Sequence, residues 1–271
     1  MIDLQNINLK VKINAKHHAI TKKFAIQQDT VEKGKQVYLN TLAVLVVNDF
    51  LKWMNVNTDL ESGESWNPVT RCFFDVADLV IPNLGKIECR RVIATENKTV
   101  FELPSEVQED RIAYIFVKFV EELQECELMG FYPVINSLEP ITTISEDQLE
   151  PIEEITDYLF KLEIAHDFLA SDDEVAIRFR KRFDPESLQK IVIQLEKNYH
   201  NISKESERKR KMGVFLKQLA GGEETEDEKT EILVLSRTKN SSNNSSQSKG
   251  EDWVSLAEEL LEKFAEIWTE N

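Results

Sequence analysis

Glycine is scarce in this chain, with 8 in 271 residues, and neither a P-loop nor a G-x-G-x-x-G fingerprint can be found among them. Cysteine is scarcer still: Cys72, Cys89 and Cys126 are odd in number and widely spaced. Without a C-x-x-C pair or a Cys/His comb, a disulfide framework and a zinc site are both poor readings. Each cysteine is therefore expected to be a small buried hydrophobe. The four histidines, His17, His18, His166 and His200, form no H-E-x-x-H, and no serine sits in a G-x-S-x-G elbow. A Cys72–His17 dyad has no local signature behind it. The longest apolar run, Leu42 to Val47, falls far short of the roughly 20 residues of a membrane span. The first residues alternate polar and apolar, unlike a signal peptide. A soluble, cytoplasmic protein with no cofactor is expected, away from membranes.

Basic residues are outnumbered, 33 against 49 acidic, for a net charge of -16. That balance repels phosphate backbones and disfavours nucleic acid as a partner. Two basic runs stand against it. One holds Arg178, Arg180, Lys181 and Arg182, the other Arg208, Lys209, Arg210 and Lys211. Both fall on predicted helices and are read as solvated faces, or as a match for the acidic segment 223–231. Nucleic-acid contact through these basic helices is a further alternative.

Enough apolar residues are present, 41% with 14 Phe and 4 Trp, to build a real core. Ile7, Leu9, Val11 and Ile13 share one face of a half-buried strand. His17 to Gln28 is helical, and Thr30 to Met54 is a long helix whose middle, LAVLVV, is apolar all round and so buried all round. Residues 66–90 read as a strand-and-turn unit: a strand over Phe73 to Ile81, a turn at Pro82-Asn83-Leu84-Gly85, and a return strand from Lys86 to Ala94. Thr99 to Leu103, Arg111 to Val120 and Glu125 to Val134 are further strands, with a helical turn after Pro104. Short connections favour antiparallel pairing. The fold class is therefore α+β: an antiparallel meander sheet packed on a long buried helix over 1–144, followed by an α-helical region over 145–220. In that region helices run from Ser145 to Ala170, Asp172 to Phe183, Pro185 to His200 and Ser203 to Leu219. A polar, acidic and Ser/Asn-rich linker fills 221–250, and an amphipathic helix fills 251–271.

Two constellations carry functional weight. Asp75 and Asp78, with Arg71 and Asp110 (and Arg111 beside them), would be the carboxylate/arginine cluster of an enzyme. On a strand, however, positions three apart face opposite ways, and ion pairs or turn amides are the plainer use of these carboxylates. In the terminal helix, Trp253, Ala257, Leu260, Leu261, Phe264 and Trp268 form one apolar stripe. Such a stripe suits a groove on a partner, or the chain's own helical region.

The blocks KGKQVYLNTLAVLVVNDFLKWM (Lys33 to Met54), TDLESGESWNPVTRCFFDVADLVIPNLGKIECR (Thr58 to Arg90), LPSEVQEDRIAYIFVKF (Leu103 to Phe119) and ELQECELMGFYPV (Glu122 to Val134) resemble the cyanobacterial family known as domain of unknown function 1822, over roughly residues 1–160. The chain departs from the family pattern at PSEVQ, where PPEVW is expected. The resemblance implies no chemistry. It implies a regulatory or adaptor role beside sigma factors and caspase-like proteases. The expected function is therefore a non-enzymatic interaction protein that holds such a partner, and releases it when a protease cuts the linker. The oligomeric state is left open by the sequence.

Overall fold

A computed structural model of the chain describes residues 9–93, 99–108, 110–120, 122–134, 140–200, 205–221 and 253–270. The chain divides into two units, Met1–Glu163 and Ile164–Asn271.

The first unit is built around one helix. After the strand β1 (Leu9–Lys12), Asn14 caps α1 (Ala15–Ala25) by accepting the His17 amide at 3.0 Å. Thr30 caps α2 (Val31–Trp53) by accepting the Lys33 amide at 3.1 Å. Every residue of α2 from Leu39 to Asn48 is buried, as an all-round apolar helix demands. Each aliphatic side chain so covered contributes about 1.5–3 kcal/mol.

The strand expected to begin at Phe73 begins five residues later. Asn67 accepts the amides of Val69 and Thr70, Pro68 fits the first helical position, and the pair opens a short helix α3 (Pro68–Phe73). Only then come β2 (Asp78–Ile81) and β3 (Gly85–Ile93), joined by the predicted turn, where Asn83 and Gly85 take φ of 67° and 139°. β4 (Val100–Glu102), β5 (Ala113–Phe119), β6 (Glu125–Pro133) and β7 (Thr143–Ser145) follow.

The α+β class holds, but the sheet is mixed and not a pure antiparallel meander. Its order is β1-β6-β5-β3-β2, and β3 runs parallel to β5 with Ile87 opposite Ala113 and Ile93 opposite Phe119. Residues 94–112 exceed the roughly dozen that a parallel crossover needs. β4, within that crossover, leaves the main sheet and pairs with β7 as a separate two-stranded ribbon. The two faces of the main sheet are covered differently. α2 packs on one. On the other, Val92, Tyr114 and Phe116 join Phe101, Leu103, Val107 and Ile144 in one apolar cluster. Both faces of β3 are thus enclosed, which is why its polar residues are buried as well.

The helix expected from Ser145 starts at Ile155. Glu150 is held extended by a two-way backbone bridge to Phe131, and Pro151 follows it, so α4 (Ile155–Ala170) begins only after two short 3-10 turns. In the second unit α5 (Glu174–Arg182) is capped by Asp173, and α6 (Pro185–His200) starts where Asp184 accepts the Ser187 amide at 2.8 Å. α7 (Glu205–Leu219) packs on the terminal helix α8 (Trp253–Glu270). Gly213 faces the start of α8, where a Cβ would lie 3.0 Å from the Trp253 carbonyl oxygen.

Candidate functional site

The first unit encloses a chain of opposed charges. Glu88 projects from β3 with no side-chain exposure. One of its oxygens accepts the Ala77 amide at 2.7 Å and Arg90 at 3.2 Å, and the other accepts Arg111 Nε at 3.1 Å. Burial pushes the Glu88 carboxyl above the usual range, against the pull of Arg111, Arg90 and the Ala77 N–H. Asp75 lies three residues ahead of β2, where it reaches both Arg90 and Arg91 of β3. Its Oδ2 meets Arg90 Nη2 and its Oδ1 meets Arg91 Nη1, each at 3.2 Å. The Asn40 side chain of α2 donates to Asp75 at 2.7 Å and accepts from Arg91. Burial alone would raise Asp75, but the two guanidiniums and the Asn40 amide outweigh it and hold the carboxyl well below its usual range.

This network ties α2, the segment before β2, β3 and the residue leading into β5 to one another. Its chemistry is that of a clamp. A general base needs an accessible lone pair and a pKa near the working pH. Glu88 has no exposed surface, and Asp75 is a weak base gripped by two arginines.

The four residues that the sequence suggests as one carboxylate/arginine cluster are not brought together. Asp75 serves the clamp. Asp78 is fully buried and accepts the amides of Glu64 at 2.9 Å and Ser65 at 2.6 Å, while Gly63 passes so close that a Cβ would sit 3.1 Å from the Asp78 carbonyl oxygen. Arg71 points inward from α3, donating to the Ser65 and Trp66 carbonyls at 3.2 and 2.7 Å, with its guanidinium 3.7 Å from the Phe24 ring centre. Asp110, at φ 57°, meets Lys86 at 2.9 Å. Asp78 and Arg71 are spent on local backbone, because the amides and carbonyls of the 3-10 turn around residues 63–67 need partners once buried. The Cys72–His17 dyad is also ruled out by geometry. His17 bonds Asp49 at 2.8 Å near the far end of α2, whereas Cys72 follows Arg71 on α3, next to where Lys33 of the first turns of α2 donates to the Phe74 carbonyl at 2.9 Å.

What the sequence pattern did not reveal is the outer face of α3. With Arg71 turned inward, Val69 and Phe73 fall on the opposite side by helical spacing and Cys72 on the flank beside them, and all three are exposed. Phe73 is 76% and Val69 64% exposed, and Phe74 beyond the helix end is 49% exposed. The expectation of a buried Cys72 fails for this reason, while Cys89 and Cys126 are buried. The available signal was Asn67-Pro68, a helix start, followed by apolar residues four apart at Val69 and Phe73.

In the second unit the terminal stripe is turned inward. Ala257, Leu260, Leu261 and Phe264 are buried, with α8 set against α7 and α6. Trp253 is half-buried beneath the Arg182 guanidinium, 4.1 Å from its ring centre. The side chain of Trp268 lies outside the described residues. One residue of each basic run pairs with an acid of α8: Arg178 with Glu259 and Lys209 with Glu258. Arg180 donates to the Leu169 and Ser171 carbonyls. Lys181 is exposed and Arg210 half-buried, and the side chains of Arg208 and Lys211 lie outside the described residues. So do the acidic segment 223–231 and all but Gly221 of the linker 221–250.

Among the described residues no group of three or more His, Cys, Asp or Glu could hold a metal ion, and no helix is long and apolar enough to cross a membrane. No curated protein and no solved structure matches the chain. A family match runs over residues 11–259, well past the blocks that first suggested it and through most of both units. The chain belongs to the family described as "Protein of unknown function (DUF1822)".

Proposed function

We propose that this protein is a non-enzymatic regulatory adaptor whose first unit holds a protein partner against α3. The observation that supports this reading is the outward stripe of Val69 and Phe73, flanked by Cys72 and continued by Phe74, on a helix whose inner face is fixed by Arg71 and the Asn67 cap. Large aromatics on a rigid support are what interface anchors are made of, because little ordering entropy remains to be lost on binding. The clamp below supplies the rigidity: its carboxylates are neutralised in place and are not offered to a substrate.

The resemblance to companions of sigma factors and caspase-like proteases makes these two the partners to try first. The test uses the full chain and a Phe73→Ser/Phe74→Ser variant, each titrated with a purified sigma factor and a purified caspase-like protease from the same source. One of the two is expected to bind the wild-type chain, with at least about tenfold loss in the variant, since truncated anchors typically cost more than about 1 kcal/mol each. Absence of binding to both, or equal binding by the variant, overturns the reading.

A further inference from the structure

The second unit carries a groove already filled by a helix of its own chain. Its floor is α7, where Met212, Phe215 and Leu216 are buried, and its rim is basic, with Arg178 on α5 and Lys209 on α7. α8 answers both features: Ala257, Leu260, Leu261 and Phe264 are buried, and Glu259 and Glu258 pair with Arg178 and Lys209. Gly213 lets the start of α8 approach to near contact. All of this complementarity is non-covalent. The covalent link runs through residues 222–252, whose fully extended reach at about 3.3–3.6 Å per residue is about 100 Å. A link of that length does not dictate which copy's groove receives α8.

We propose that the α5–α7 groove accepts α8 from a second copy of this chain, so that two copies associate by exchanging their terminal helices. The second copy is the occupant to choose because it brings the same apolar stripe and the same acid pair, and a reciprocal exchange keeps every contact of the closed form. Because the link makes docking of α8 within one copy intramolecular, the closed form dominates in dilute solution and the exchanged dimer grows with concentration. This surface is separate from α3, and the outcome for one does not decide the other.

Charge reversal isolates the exchange. In a groove variant, Arg178→Glu/Lys209→Glu, the rim repels its own helix; in a helix variant, Glu258→Lys/Glu259→Lys, the helix repels its own rim. Each alone is unfavourable within the copy, whereas in an exchange between the two variants one groove regains both ion pairs with reversed sign and the other keeps them with native sign. Light scattering after size-exclusion chromatography is expected to show each variant alone as a monomer and the mixture as a 1:1 dimer, favoured over either self-pair by at least about tenfold. Monomers throughout, with helicity intact by circular dichroism, overturn the proposal and assign α8 to its own groove alone. Should either variant lose helicity, the wild-type chain decides: two differently tagged populations are concentrated together to about 1 mM and diluted. Co-capture of the tags, lost when Leu260→Ala/Phe264→Ala is introduced in both, supports exchange. No co-capture, or co-capture indifferent to that change, overturns it.

Discussion

Arg111 meets Glu88 at 3.1 Å with 2% of one side chain and none of the other exposed to solvent. A pair so enclosed stabilises less by its own attraction than it destabilises when broken, because the remaining charge stays buried with its compensation cut back to Arg90 for Glu88, or to the more distant Glu64 and Asp110 for Arg111. Glu88→Leu and Arg111→Met are each expected to lower unfolding free energy by about 3–5 kcal/mol in urea titrations, and the two changes together by much less than their sum. Additive losses would show that the two residues act independently.

Asp75 gives the protein an acid-sensitive component. Its folded pKa lies below the unfolded value of about 3.9, so the unfolded chain takes up the proton first and stability falls as pH drops below about 4. Asp75→Asn is expected to be less stable at neutral pH and to lose less between about pH 5 and pH 3 than the wild type, read as thermal midpoints across that range. Glu88 has the opposite sign. Its folded pKa is raised, so the native state binds the proton more readily and this group's contribution declines as pH climbs above the unfolded value.

The three thiols are predicted to separate cleanly by reactivity. Cys72 lies exposed on α3, whereas burial pushes Cys89 up and raises Cys126 to about 12, with Glu125 adding to it. An aromatic disulfide reagent at about pH 8 should modify Cys72 quickly and the other two only in denaturant. Mass mapping of the labelled peptides checks the assignment.

Gly130 occupies φ 147° in β6, and a Cβ there would stand 2.6 Å from the Glu150 carbonyl oxygen. Gly130→Ala must therefore strain the backbone and disturb the bridge between Phe131 and Glu150, at a cost of about 1–3 kcal/mol from the strain alone. A thermal midpoint lowered by several degrees is the expected result, and an unchanged midpoint would contradict this placement of residue 150.

α2 is legible in the sequence because Leu42 to Val47 leaves a helix no polar side, and the β2–β3 turn because Pro82 and Gly85 suit fixed backbone angles. The parallel pairing of β3 with β5 is not. Alternation identifies a strand and a face but carries no information on the direction of its neighbour. The clamp is half visible: Glu88 and Arg90 share a face by their spacing, yet Arg111 joins them only through the parallel register that sets Glu88 opposite Tyr114. α3 is signalled by Asn67-Pro68, but the β-prone run Phe73-Phe74 masks it. The inward turn of the α8 stripe depends on α7, whose matching face has no signature beyond ordinary amphipathic spacing.

The central claim, that α3 is the contact face of a rigid adaptor, is tested most directly by amide hydrogen exchange on the full chain with and without its bound partner. Slowed exchange confined to residues 68–74 and their neighbours in α1 and the 3-10 turn at 64–66 is the predicted result. A complex that forms while these amides exchange as fast as in the free chain would contradict it.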